Sequence, residues 1–132
     1  MNTNFSHSSN NTPLPRLLPL LQRLKEVYLH WFTYYKDLPK LHRHSLGQKI
    51  DKYFIDVIEV VSFASFLKQN EKASYIRLAI RKLDTLKILL MILWETKTLD
   101  NKKYIALSLK LDDIGRMLGG WYGNVTKQNS PK

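Results

Sequence analysis

The feature that most constrains this fold is a run of apolar residues in the last third of the chain, spaced alternately three and four positions apart. The run consists of Tyr104, Leu107, Leu111, Ile114, Leu118 and Trp121. Because an α-helix has about 3.6 residues per turn, this spacing places the six side chains on one face. It predicts a long amphipathic helix that other helices must cover. Gly119, Gly120 and Gly123 lie near its end, and we expect them to terminate it.

Two earlier segments show the same spacing and are bounded by recognisable residues. The first predicted helix begins between Pro15 and Pro19, because proline is tolerated only in a first turn, and it ends before Pro39. Its predicted buried face consists of Leu17, Leu21, Leu24, Tyr28, Trp31 and Tyr35. The second predicted helix follows Ser45, which fits a capping box with Gln48, and it runs to about Lys68.

The third predicted helix spans about Ala73 to Thr96 and is apolar on more than one side. In its second half, Ile88, Leu89 and Ile92 lie away from the main apolar face. A helix that is apolar on two sides needs cover on both. We therefore expect these three residues to form an interface between subunits.

Four helices joined by short polar links predict an all-α fold, an antiparallel up-down-up-down four-helix bundle. We expect residues 14–123 to form the bundle, residues 1–13 to be a disordered tail and residues 124–132 to be a flexible tail. The longest apolar run, Ile88 to Trp94, is far shorter than the roughly 20 residues of a membrane span. The chain has no cysteine and no secretion signal at its start, so we expect a cytoplasmic protein without membrane contact.

The charge is strongly unbalanced, with 21 Lys and Arg residues against 11 Asp and Glu, a formal net charge of +10. Such a balance favours a polyanion such as RNA or DNA as partner. The cations gather near helix starts in three clusters: Lys40, Arg43, Lys49 and Lys52; Lys72, Arg77, Arg81 and Lys82; and Lys102 and Lys103. Cations there oppose the helix dipole, whereas the free N–H groups suit a phosphate. We expect a nucleic-acid-binding surface, with ordinary solvated polar faces as the alternative.

No pattern of reactive residues indicates an enzyme. His42 and His44 are too few to hold a metal ion, and no carboxylate lies near them in sequence. Asp112 and Asp113 point about 100° apart on a helix, so they form no shared acid–base pair. We expect no catalytic residue, no metal and no cofactor. A small metal-dependent enzyme using the two histidines remains an alternative that metal analysis would test.

The segment LPKLHRHSLGQKI, residues 38–50, resembles the motif between the first two helices of Avd-like four-helix proteins, the accessory variability determinants of diversity-generating retroelements. The matching positions are Leu38, Pro39, Lys40, Arg43, Leu46, Gly47 and Ile50. The likeness extends over the placement of the four helices, from about Leu17 to Trp121. A sister family, the four-helix proteins encoded in ribosomal RNA intervening sequences, shares much of the motif. The stretch VVSFASFLKQ departs from that sister pattern.

The resemblance implies a non-catalytic protein that forms a basic homo-oligomeric ring, commonly a pentamer. It implies binding to the element's reverse transcriptase together with RNA or DNA, in support of error-prone copying of a template repeat. By matching position, Lys40 and Arg43 would lie on the surface and Gly47 would permit close packing at the bend. Leu46 and Ile50 would belong to the core. The alternative is a structural four-helix protein of the intervening-sequence type without a polymerase partner.

Overall fold

The computed structural model describes residues 17–129, which form four long helices joined by tight connections. The elements are α1 (Leu17–Tyr35), α2 (Lys40–Arg43), α3 (Leu46–Ser65), a 3-10 helix (Gln69–Glu71), α4 (Lys72–Glu95) and α5 (Asn101–Asn129). Residues 17–129 contain no strand, which confirms the all-α prediction. The tail expected at residues 1–13 lies outside the described residues.

Each long helix packs against two others, so the four helices enclose one core as a four-helix bundle. α3 contacts α1 and α4, and α5 contacts α4 and α1. Trp31 and Phe54 are among the largest fully buried side chains, and their rings stack 5.7 Å apart between α1 and α3. Burial of a large apolar side chain contributes about 1.5–3 kcal/mol relative to exposure. Within residues 17–129, no helix is long and apolar enough to cross a membrane.

The buried face of α1 differs in part from the predicted one. The side chains that reach the core are Leu20, Leu24, Val27 and Trp31, whereas Tyr28 and Tyr35 are only half-buried. Tyr28 lies at the edge of the core because its hydroxyl group hydrogen-bonds the carboxylate of Asp51 on α3. Burial, followed by this hydrogen bond, raises the pKa of Tyr28 to about 12.

The predicted end of the last helix is wrong. α5 continues through Gly119, Gly120 and Gly123 to Asn129, and none of these glycines has a positive φ. Glycine in a helix interior costs about 1 kcal/mol relative to alanine. Val125, only 2% exposed, packs the last turns against the core and helps to offset that cost. Residues 124–129 therefore continue the helix, and residues 130–132 lie outside the described part.

The two ends of α3 also differ from the prediction. Ser45 does precede the helix, but its hydroxyl makes no capping bond and instead donates to the carbonyl oxygen of Leu41 at 2.7 Å. The predicted capping box is therefore wrong. The helix ends at Ser65 rather than near Lys68, and a 3-10 helix follows. Ile50, Phe54, Val57 and Val61 are among the buried residues of α3 and lie at helical spacing along one face.

Candidate nucleic-acid interface

Arg43, in the first predicted cluster, is bound to the end of the preceding helix. Its Nη1 donates to the carbonyl oxygens of Lys36 at 3.2 Å and Leu38 at 3.4 Å, just beyond the last residue of α1. The C-terminal end of a helix carries partial negative charge and unpaired carbonyls, which a cation stabilises. These two carbonyl acceptors therefore account for the position of the Arg43 guanidinium group, without any bound anion.

Gly47 allows this bend to fold tightly over α1. A Cβ atom at this position would lie 2.9 Å from the carbonyl oxygen of His42, 2.9 Å from Leu38 Cδ1 and 3.3 Å from Tyr35 Cε1. Real Cβ atoms essentially never approach other atoms as closely as the two distances of 2.9 Å. The close packing that the family resemblance implied for this glycine is confirmed, as is the burial of Ile50.

The lysines around the bend divide into paired and unpaired side chains. Lys52 lies 3.4 Å from the carboxylate of Asp56, one turn along α3. Lys40 and Lys49 are exposed and have no carboxylate partner within the described residues. These two lysines therefore present uncompensated positive charge to solvent, which is what a phosphate contact requires.

Lys72 is the residue for which the sequence prediction and the structure differ most. It was expected on the basic surface, but it is only 6% exposed. Its Nζ donates to the carbonyl oxygens of Ala64 at 2.9 Å and Ser65 at 3.0 Å, at the end of α3. Burial lowers the pKa of its ammonium group. Lys72 therefore stabilises the α3–α4 connection as a buried hydrogen-bond donor and is not part of the exposed basic surface.

The remaining members of the second cluster lie on the outer side of α4 to different degrees. Arg81 is exposed without a carboxylate partner among residues 17–129, and Arg77 is exposed and donates to the hydroxyl of Tyr122 at 3.3 Å. Lys82 is half-buried, 3.3 Å from the Asp56 carboxylate and over the ring of Tyr53. Arg77 and Arg81 are thus the accessible cations of this cluster.

The third cluster lies beside the end of α1. The Nζ of Lys103 is 5.2 Å from the centre of the Tyr34 ring, so the start of α5 is adjacent to the last turn of α1. Lys102 is exposed and has no carboxylate partner within the described part of the chain. The carboxylate of Asp100 already accepts a hydrogen bond from the backbone N–H of Lys103 at 2.9 Å. Any phosphate contact here would use the lysine side chains rather than that N–H group.

Two positions in this region were missed by the sequence reasoning. Lys97 follows α4 and has a positive φ of 66°, a conformation that normally favours glycine. Its side chain is exposed, and it lies five residues before Lys102 in the sequence. The turn contains no glycine, so the sequence gives no sign of this backbone conformation.

The second position is His30. Its Nε2 lies within 2.5 Å of the Tyr34 hydroxyl, and its Nδ1 is buried without a partner in the described structure. Burial, and then the charge of Lys110, lowers the pKa of His30.

The apolar residues predicted to form a subunit interface are partly open to solvent. Ile88 is 53% exposed and Ile92 39% exposed, while Leu89 is half-buried. Met91, on the same side of α4, is 37% exposed. A cluster of exposed large apolar side chains is typical of a surface that another chain covers.

The two histidines considered as metal ligands lie in and just after α2. His42 is half-buried and His44 is exposed. Within residues 17–129, no three His, Asp or Glu side chains are gathered in a group that could hold a metal ion. The geometry of this region is that of a helix junction.

A family model described as bAvd-like matches residues 18–125, which extend from α1 to the last turns of α5. The chain belongs to the bAvd-like family. No curated protein and no solved structure matches it. In this bAvd-like protein, the segment that carried the resemblance is the bend where Gly47 and Arg43 hold α1 and α3 together.

Proposed function

We propose that this bAvd-like protein is a non-catalytic accessory subunit of a diversity-generating retroelement. In this role it binds nucleic acid and the element's reverse transcriptase, and it supports mutagenic copying of a template repeat. The observation that carries the proposal is the family match over residues 18–125, together with a net charge of +10. The partners are those implied by the family resemblance.

The nucleic-acid part of the proposal rests on cations without carboxylate partners in the described residues. They are Lys40, Lys49, Arg81 and Lys102, with Arg77 and Lys103 held beside tyrosine rings. Contacts of this kind recognise the phosphate backbone and carry little sequence information. We therefore expect affinity that is weakly sequence-specific and that falls steeply as salt concentration rises.

We further propose that the four helices alternate in direction and that the chain assembles into a homo-oligomer, most simply a pentameric ring. Support for alternation comes from cross-helix contacts near the short connections: Trp31 Nε1 donates to Asp51 at 3.1 Å, and the rings of Trp94 and Tyr104 stack 4.7 Å apart. Support for assembly comes from the exposed apolar side chains Ile88, Met91 and Ile92 on α4.

Light-scattering mass measurement coupled to size exclusion tests the assembly. The sample is nuclease-treated and run at high salt, and is then run with a short RNA at low salt. We expect a mass near five times the 15.6 kDa of one chain, increasing when RNA is added. Ile88→Ser should lower the mass, whereas Leu41→Ser, at a 77% exposed position on α2, should not. A monomer that is indifferent to RNA would contradict the proposal.

Charge reversal tests the nucleic-acid surface. The double variant Arg77→Glu, Arg81→Glu should bind short RNA at least about tenfold more weakly at low salt, since two phosphate contacts are replaced by repulsion. Its thermal unfolding should resemble that of the unmodified chain, because both side chains are exposed. Unchanged affinity in a folded double variant would exclude this surface.

A further inference from the structure

The two ends of the bundle can be distinguished by the contacts that bring helix ends together. At the first end, Lys103 at the start of α5 lies over the ring of Tyr34 at the end of α1. The rings of Trp94 at the end of α4 and Tyr104 on α5 stack 4.7 Å apart. The α2 bend joins this end of α1 to the start of α3. The first end therefore consists of residues 36–49 and 95–103.

The second end brings together the opposite ends of the same helices. The 3-10 helix joins the end of α3 to the start of α4, and Arg77 on α4 donates to the hydroxyl of Tyr122 on α5 at 3.3 Å. Arg23 near the start of α1 forms an ion pair with Asp113 on α5, as expected for helices that alternate in direction as proposed above. The second end consists of residues 17–23, 59–81 and 116–129. The segments between the two ends form the waist, which consists of residues 24–35, 50–58, 82–94 and 104–115.

The formal charge is concentrated at the two ends. The first end has seven Lys and Arg residues against three Asp and Glu, a charge of +4, and the second end has seven against two, a charge of +5. The waist has five against six, a charge of −1. Because Lys72 is buried and bonded to backbone carbonyl oxygens, the charge of the second end without it is +4. Both ends therefore attract a polyanion, whereas the waist does not.

The pairing of side chains strengthens this division. In the waist, Lys52 and Lys82 lie 3.4 and 3.3 Å from the carboxylate of Asp56, and Lys87 lies 3.1 Å from Asp112. The ends instead carry exposed cations that have no carboxylate partner among residues 17–129. They are Lys40, Lys49, Lys97 and Lys102 at the first end, and Lys68 and Arg81 at the second. Unpaired cations of this kind bind phosphate groups without regard to base sequence.

The waist separates the two basic ends by its length and by its surface. Arg81 precedes Glu95, the last residue of α4, by 14 positions, which is about 21 Å at 1.5 Å per residue. Charges further apart than the Debye length, about 10 Å at 0.1 M salt, are largely screened from each other. Eight of the twelve exposed large apolar side chains lie in the waist, on all four long helices, so its surface offers little to a phosphate backbone.

We infer that each chain has two separate nucleic-acid sites, one at each end of the bundle, and can hold two segments of nucleic acid at once. The two ends then divide between them the nucleic-acid binding of the proposed function, on which the inference rests. A single strand that reached from one end to the other would have to cross the waist, where it would meet no net positive charge.

The number of short RNA strands bound per chain tests the inference. A six-nucleotide oligouridylate is about 20 Å long at a stacked spacing of about 3.4 Å, so it cannot cross the gap of about 21 Å and cover the cations of both ends. Titration at 0.1 M salt with saturating RNA should give about two strands per chain, whatever the size of the assembly. A count of about one strand per chain would overturn the inference.

Two double variants identify the sites. Lys40→Glu with Lys102→Glu removes the first site, and Arg77→Glu with Arg81→Glu removes the second. Each variant should bind about one strand per chain, and the affinity of the remaining site should change less than about twofold, because the ends are screened from each other. The salt concentration matters, since at 0.01 M the Debye length is about 30 Å and charge reversal at one end also weakens binding at the other.

The matched control is Lys25→Glu with Lys110→Glu, which makes the same change in charge at two exposed positions of the waist. It should still bind about two strands per chain. An equal loss in the control would show that affinity follows total charge, which would overturn the inference, as would loss of all binding in either end variant. Thermal unfolding establishes that each variant is folded, and glutamine versions of the same pairs replace any that is not. A lack of RNA binding by the unmodified chain would instead contradict the proposed function.

Discussion

The two connections that flank α3 use the same device in different surroundings. In the bend before α3, Arg43 donates to the carbonyl oxygens of Lys36 and Leu38 at 3.2 and 3.4 Å and stays half-exposed. In the turn after α3, Lys72 donates to Ala64 and Ser65 at 2.9 and 3.0 Å and is 6% exposed. In both, a cation holds the negative end of a helix. Whether a basic residue at a helix junction stabilises the fold or is free to bind a ligand is thus decided by its burial and its hydrogen-bond acceptors, and not by its charge.

The substitution with the largest expected effect on stability disrupts the first connection and leaves the second intact. Gly47→Ala should lower the free energy of unfolding by about 3 kcal/mol, because the new methyl group overlaps the His42 carbonyl and Leu38. Urea unfolding measures the change. Gly120→Ala is the matched control: nothing lies within 4 Å of a Cβ there, so it should raise stability by about 1 kcal/mol. A harmless Gly47→Ala would mean that the bend is looser than described.

The substitution with the next largest expected effect on stability disrupts the second connection, in the turn after α3. Lys72→Met should cost about 2 kcal/mol of unfolding free energy, because the Ala64 and Ser65 carbonyl oxygens lose their buried donor. Lys68→Met, at an exposed site four residues earlier, should change stability by less than about 0.5 kcal/mol. Chemical denaturation of the two variants side by side decides the matter, and equal effects would show that Lys72 has no special role.

A smaller effect distinguishes the contributions of the two cations, Arg43 and Lys72, to stability. Arg43→Ala should cost about 1 kcal/mol, less than the loss of Lys72, because water can replace the guanidinium group at this half-exposed site. Arg43→Lys should recover only part of that loss, since lysine lacks the planar fork that reaches two acceptors. Thermal unfolding, with hydrogen exchange of the last α1 amides, measures both. A loss from Arg43→Ala equal to that from Lys72→Met would remove the contrast between the connections.

The smallest effect concerns the packing of α1 on α5 next to the first connection. Burial and Lys110 lower the pKa of His30 below its ordinary value of 6.5, so the unfolded chain binds the proton more readily than the folded one. Stability should therefore be complete above about pH 6.5 and decrease as the pH falls below it, by less than about 1 kcal/mol at this partly solvated site. His30→Gln should flatten this part of the pH profile, and an unchanged profile would contradict the assignment.

Much of the fold follows from apolar spacing, whereas its junctions do not. The positions Leu107, Leu111, Ile114 and Leu118 are buried as their spacing predicts. The glycines that follow failed as an end signal, because a core contact by Val125 outweighs local propensity. Within KQNEK, residues 68–72, two lysines look alike in sequence, and only the packed helices decide that the second turns inward.

The candidate basic surface is predictable to a similar, partial extent. Exposure of Lys40, Lys49 and Lys102 agrees with the expectation from sequence. The pairing of Lys52 and Lys82 with the single carboxylate of Asp56 does not follow from spacing alone, because Lys82 reaches it from another helix. The positive φ of Lys97 has no sequence signal at all.

The most direct test of the account is the salt dependence of single-stranded RNA binding. Each phosphate contact to a single strand contributes about 0.7 to the slope of log affinity against log salt. We expect Lys40→Gln with Lys102→Gln to reduce the slope of the unmodified chain by up to about 1.4, for two lost contacts. Lys72→Met, measured where it is folded, should leave the slope unchanged. A negligible slope in the unmodified chain, or an equal reduction in Lys72→Met, would contradict the claim that exposed, unpaired cations bind nucleic acid.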